Sequence, residues 1–187
     1  MPEKIPKHAK KVFSWIRSDV YQWDQEMYDG SMKTFERITF TRWSFVIPIL
    51  PDKSILITTQ DQPERERFTW LPGWAFDRED EDPLECVKRE FLEETGYMSD
   101  DWELWFIHEG TSNVISSTYF YVARDCRRVA DTRLDPGERI TLSTCSFDEF
   151  LLLSEDTQFV HWPLLPYLFM ARLHPEVYTE IEGLFWL

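Results

Sequence analysis

Leu71 to Tyr97 reads LPGWAFDREDEDPLECVKREFLEETGY, and the way this stretch folds decides the rest. Asp82, followed by Pro83 and, three residues on from the Asp, by Glu85, marks a helix start: a capping carboxylate, a proline suited to the first turn and a reciprocal acidic residue. Gly96 supplies the stop, because glycine adopts the left-handed conformation that ends a helix. Between these marks Leu84, Val87 and Phe91 recur at helical spacing and predict a buried stripe. Glu90, Glu93 and Glu94 stand at i, i+3 and i+4, so their carboxylates share a stripe beside the apolar one.

Like charges on one stripe repel, at roughly 0.2–0.5 kcal/mol for each pair one turn apart. One reading is a solvated acidic face, the usual fate of a Glu run. The other is a site for a hard divalent cation, since Mg²⁺ prefers carboxylate and water oxygens. Charge density favours the site. From Gly73 to Glu103 there are twelve Asp or Glu against three Lys or Arg, so this segment carries −9 of the chain's net −14.

The segment resembles the Nudix box, in which Gly, five residues, Glu and seven residues precede Arg-Glu-apolar-x-Glu-Glu-x-Gly-apolar. Arg89, Glu90, Phe91, Glu93, Glu94, Gly96 and Tyr97 match the second half, and Glu81 stands seven residues before Arg89 as the pattern asks. The front departs from it. The pattern's glycine falls on Ala75, Gly73 is separated from Glu81 by seven residues rather than five, and Trp74 replaces the usual second small residue. The resemblance implies an α/β fold: a Nudix-type α/β/α sandwich with a mixed β-sheet, here with an N-terminal β-hairpin. More loosely, residues 20–173 are similar to ADP-ribose pyrophosphatases and related nucleoside-diphosphate-sugar hydrolases. Two features depart from that branch: Trp70 stands where a Glu is usual, and no proline follows the box in FIHEGTSNV.

Composition bounds the possibilities. A chain of 187 residues with 43% hydrophobic and 16% aromatic content can bury a core and is not disordered. No run of eighteen apolar residues exists, and MPEKIPKHAKKVF has no apolar signal core. Cys86, Cys126 and Cys145 form no framework, which suits a reducing cytoplasm. The net charge of −14 opposes binding to nucleic acid. An anionic substrate would therefore need a metal and a few local cations.

Along the chain, Val12, Phe13 and Ile16 predict a short amphipathic helix within residues 1–19. Asp29-Gly30 joins two alternating runs into a hairpin, about 20–28 and 31–40. SFVIPIL and SILITTQ follow as strands, the first apolar enough to be central. Gln60 to Trp70 is polar and reads as a loop. After the box, WELWFIH, STYFYVARDC and Ile140 to Cys145 read as strands. SFDEFLLLSE opens with a Ser-x-x-Glu capping box and predicts a helix, Pro163 to Leu173 another. The tail is weakly helical, with apolar residues that need a partner surface. The expected division is 1–40 as an N-terminal helix and hairpin, 41–173 as the Nudix hydrolase domain and 174–187 as a helical tail.

Cutting a phosphoanhydride requires charge neutralisation, an activated water and alignment. The resemblance implies Glu90, Glu93 and Glu94 as ligands of Mg²⁺, with Mn²⁺ as substitute, and Glu93 as part of the catalytic set. It also implies an assisting Glu from a later loop, for which Glu138, just after Asp135-Pro136-Gly137, is the match. An ordinary surface Glu is the alternative. Arg89 is expected to brace Glu81, with Glu85 or Glu93 as local alternatives. Arg65 and Arg67 could fork onto phosphates or simply be exposed, and Gly73 joins them as a candidate for substrate contact. Trp23 and Trp74 could stack a base, although aromatic packing is the commoner role. The resemblance also admits a homodimer through the N-terminal strands. The expected activity is Mg²⁺-dependent hydrolysis of a nucleoside diphosphate linked to another group, ADP-ribose first. The rivals are a Nudix-fold nucleotide-binding or regulatory protein without turnover, and a plain acidic interaction domain.

Overall fold

A computed structural model describes residues 5–76, 81–111 and 113–186; Asp77 to Asp80, part of the acidic segment, lie outside the described residues. The N-terminal third is β1 (Lys10–Ser14), β2 (Ser18–Glu26) and β3 (Met32–Phe40), with Gly30 at φ 80° in the β2–β3 turn. Then come β4 (Trp43–Pro48), β5 (Ile55–Asp61), β6 (Phe68–Trp70), β7 (Gly73–Ala75) and the box helix α1 (Pro83–Thr95). After it run β8 (Tyr97–Met98), β9 (Asp101–Glu109), β10 (Val114–Ile115), β11 (Ser117–Arg124), β12 (Arg127–Arg128) and β13 (Arg139–Cys145). Three helices close the chain: α2 (Phe147–Leu152), α3 (Leu165–Leu173) and α4 (Pro175–Trp186).

The central layer is a mixed sheet in the order β7-β4-β11-β9, β4 and β11 being parallel from Trp43↔Thr118 to Pro48↔Ala123. Parallel neighbours need a crossover, and α1 lies within it. A second sheet, β13-β5-β6, is antiparallel. Side chains alternate across these strands, so one sequence run feeds two cores. Phe45, Ile47, Phe120 and Val122 join Phe147, Phe150, Leu168 and Phe185 of the C-terminal helices. On the opposite face Val46, Leu56, Tyr121 and Ala123 join Val87 and Phe91 of α1. Helices on both faces make this an α/β/α sandwich, as expected.

Two expectations are corrected. The predicted N-terminal helix is instead strand β1, paired antiparallel with β2 from Lys10↔Gln22 to Ser14↔Asp19. A short helix with no face to bury is marginal in water, and β2 offers its backbone a ladder. The Gln60–Trp70 loop is flanked by strand on both sides, because FTW is too short for periodicity to reveal yet pairs Thr58↔Trp70 and buries Phe68. The apolar tail finds its partner: Phe185 is 1% exposed against Trp105, Phe147 and Phe150. Buried Arg124 fixes the end of α4 by donating to the Leu184 carbonyl while ion-pairing Asp101 and Glu103.

Candidate active site

Both ends of α1 are capped where the sequence predicts, the start without the reciprocal bond expected of Glu85. The Asp82 side chain accepts from the backbone N–H groups of Leu84 and Glu85 at 2.9 and 3.1 Å. Glu85 does not reciprocate but pairs with Lys88 at 3.0 Å. Gly96 takes φ 75° and returns its N–H to the Leu92 carbonyl. A Cβ there would run into the Ala130 carbonyl, so glycine is required twice over.

The three box carboxylates are not equivalent. Glu94 falls on the buried face with Val87 and Phe91, and its Oε2 accepts the Gly73 N–H at 2.9 Å. Burial holds its carboxyl well above the usual range; the Gly73 bond opposes this, and the fields of Glu90, Glu138 and Glu93 add to it. Glu90 and Glu93 engage Arg89 at 2.6 and 3.2 Å, and the same guanidinium reaches Glu81 at 3.4 Å. Arg89 therefore braces the loop carboxylate and two of the helix carboxylates together. Around it, Ser44 Oγ donates to the Pro83 carbonyl and Arg42 to that of Glu81, tying β4 to the helix start.

Glu138, which follows the Asp135-Pro136-Gly137 segment, comes into this field through a docked loop. Val129 and Ala130 donate to the Gly96 carbonyl, and the Arg133 N–H to that of Glu93 at 2.7 Å, docking the segment on the end of α1. Glu138 then borders an open cleft of about 450 Å³ with Asp61, Gln62, Glu64, Arg65 and Arg139. Burial also raises its carboxyl; a backbone hydrogen bond from Asp135 opposes this, and the Asp135 charge adds a smaller push upward.

The other candidates separate. Arg65 lines the cleft, its guanidinium 4.3 Å from the Phe68 ring and bonded to Gln62 Oε1. Arg67 is exposed and does not border it. Gly73 is buried, at φ 128°, where a Cβ would strike the Ser44 carbonyl. Its N–H is committed to Glu94 and so is not offered to a ligand. Trp23 belongs to the N-terminal sheet, where it packs on Phe35 and Arg37 with its Nε1 bonded to Gln25. Trp74 instead meets Trp43 edge-on at 5.7 Å and carries the Arg17 guanidinium at 5.1 Å. Arg42, Ser44 and the docked loop were missed because each acts through a contact distant in sequence, for which no local pattern exists.

Among the described residues, no three His, Cys, Asp or Glu side chains converge in the spacing of a bound ion. The expected ligand trio is not preassembled: Arg89 draws Glu90 and Glu93 aside, and Glu94 faces Gly73. Like charges settle on whatever donors are near. The donor set nonetheless suits a hard divalent cation, since it consists of carboxylates alone. Burial first, and then three acidic neighbours, raises the proton affinity of Glu94, and a bound cation would offset that repulsion.

A family model described as the NUDIX domain matches residues 40–168. A crystal structure titled as that of an ADP compounds hydrolase superposes with a TM-score of 0.72 at 20% identity, covering 89% of this chain and 90% of that one. At that identity the likeness speaks to the fold. No curated protein sequence matches significantly.

Proposed function

This chain belongs to the Nudix family of pyrophosphohydrolases, and on that premise we propose that it hydrolyses, with Mg²⁺, the pyrophosphate of a nucleoside diphosphate joined to a second group. ADP-ribose, giving AMP and ribose 5-phosphate, is the first candidate. The observation that carries this reading is the placement of Glu138 within the field of Glu94 and its helix partners, on the rim of a cleft that also holds Arg65. The structural likeness to a hydrolase of ADP compounds supports the substrate class.

Glu90, Glu93 and Glu94 would hold the metal, which supplies charge neutralisation and a more acidic water. Arg89 keeps Glu81, Glu90 and Glu93 together in its absence. Glu138, raised in proton affinity, is suited to receive a proton from the attacking water. Arg65, on the cleft and held by a 3.3 Å bond to Gln62 and the Phe68 ring, is the candidate guanidinium for a phosphate. A homodimer through the N-terminal strands fits the exposure of Phe13, Trp15 and Ile16. Three free cysteines fit a reducing cytoplasm.

Incubation with ADP-ribose tests the reading: AMP should appear only with a divalent cation and disappear in Glu93→Gln. Melting shifts on ligand addition without products, across a panel of nucleotide-sugars and dinucleotides, would make this a binding protein instead.

A further inference from the structure

The end of β5 carries Gln60, and Gln62 follows one residue beyond the strand. Strand alternation puts Gln60 on the same face as Leu56 and Thr58, and Leu56 packs with Val87 and Phe91 of α1. Gln60 therefore faces the box-helix side of the sheet. The β5–β13 register pairs Gln60 with Ile140 and Asp61 with Arg139. One step further sets Gln62 beside Glu138, and both border the cleft.

Hydrogen-bond polarity then fixes the direction of these amides. Arg65 donates to Gln62 Oε1 at 3.3 Å, and a guanidinium can only donate. Gln62 must turn its amide nitrogen the other way, where Nε2 donates to Gln60 Oε1 at 3.1 Å. That orients Gln60 in turn, leaving its Nε2 buried with no acceptor in a side chain only 1% exposed. Reversing the chain would set the Gln62 amide nitrogen against the guanidinium. A buried donor left unpaired is costly, and natural structures keep few of them.

We propose, resting on the phosphoanhydride reading above, that Gln60 is a substrate-binding residue whose amide N–H donates to a non-bridging oxygen of the diphosphate. Arg65 and Gln62 hold the amide in that sense. Gln62, half-buried above it, is the movable cover: a phosphate that attracts Arg65 frees Gln62 and opens the way to the donor beneath. A phosphate oxygen suits because it is small, anionic and purely an acceptor, so it completes the amide without needing a donor in return.

The test is calorimetric binding of ADP with Mg²⁺, with adenosine as control, to wild type, Gln60→Met and Gln60→Glu. Met keeps the length and removes the orphaned donor; Glu keeps an acceptor for Gln62 and replaces the donor with negative charge. Gln60→Met should melt no lower than wild type without ligand, yet bind ADP about tenfold or more weakly. Gln60→Glu should be weaker still, and adenosine should not distinguish the three. ADP binding by Gln60→Met within twofold of wild type overturns the assignment, as happens if the donor meets only a sealed water. Equal losses for ADP and adenosine, or a lower melting point with a matching loss, overturn it in favour of a packing role. Should Gln60→Met fail to fold, Gln62→Leu breaks the same chain from the cleft side and should give the same phosphate-selective loss; its absence counts against the proposal. Wild type that binds ADP but cleaves no phosphoanhydride defeats the functional reading while leaving the ADP comparison decisive. Wild type that binds no ADP defeats both.

Discussion

The two faces of the central sheet are built by opposite rules. Towards α2, α3 and α4 the layer is aromatic, with Phe45, Phe120, Phe147, Phe150 and Phe185 packed edge-on or stacked. Its buried His161 is satisfied as the neutral ring, Nε2 accepting the Leu71 N–H at 2.8 Å. Towards α1 the apolar cluster is smaller, and the polar groups beside it are left in tension. Glu94 is buried among like charges, and Glu81 Oε2 and Gln60 Nε2 lack hydrogen-bond partners. Trp70 Nε1 on the aromatic face is unpartnered too, so what sets the α1 side apart is a buried carboxylate among like charges. Strain of this kind collects where chemistry is done.

Substitutions on each face should separate the two roles. The largest effect is expected on the α1 side. Glu94→Gln keeps an oxygen for the Gly73 N–H but removes a buried ionisable carboxyl, so it should lower turnover by about a hundredfold or more while melting no lower than wild type without metal. Turnover and a thermal melt measured side by side check this, and normal turnover would remove Glu94 from the site. Opposite, Phe185→Ala should cost about 3–5 kcal/mol in urea unfolding, leaving the metal dependence of the folded fraction unchanged.

His161 gives the contrast a pH signature. Burial lowers its pKa from 6.5 to about 3. The unfolded chain thus takes up a proton below pH 6.5 that the folded one refuses. This contribution is complete above pH 6.5 and is lost as the pH falls towards 3, at about 1.4 kcal/mol per unit. Raised carboxyls such as Glu94 slope the other way, so the His161 share is the difference from His161→Gln: between about pH 6 and 4 the wild type should lose up to about 1.4 kcal/mol per unit relative to that variant. The smallest effect is expected where the faces meet. Ser44→Ala leaves the Pro83 carbonyl without its hydroxyl donor and should cost about 1 kcal/mol in a denaturant titration.

Much of this was legible before any coordinates. The hairpin around Asp29-Gly30, the buried β4, the caps of α1 and the capping box at Ser146 and Glu149 all rest on interactions within a few residues, and each appears where local chemistry places it. The failures have one cause. β1 looked helical and FTW looked like loop because a strand is defined by a neighbour that local pattern does not name. The close approach of the Ser44 carbonyl and the Glu94 carboxylate to Gly73 is likewise invisible to local pattern. The resemblance favours Trp23 over Trp74 for stacking a base, and the structure sets the two apart, one in the N-terminal sheet and the other in β7 beside the box.

By itself the sequence determined the helix, its caps and the spacing that lays three carboxylates on neighbouring stripes, since all of these follow from 3.6 residues per turn. Tertiary structure decided which carboxylate is buried, which guanidinium braces the others, and that a loop docked on the end of the helix brings Glu138 to them. Those outcomes depend on burial and on distances between segments far apart in the chain, and electrostatic energy is set by distance in space rather than by position in sequence.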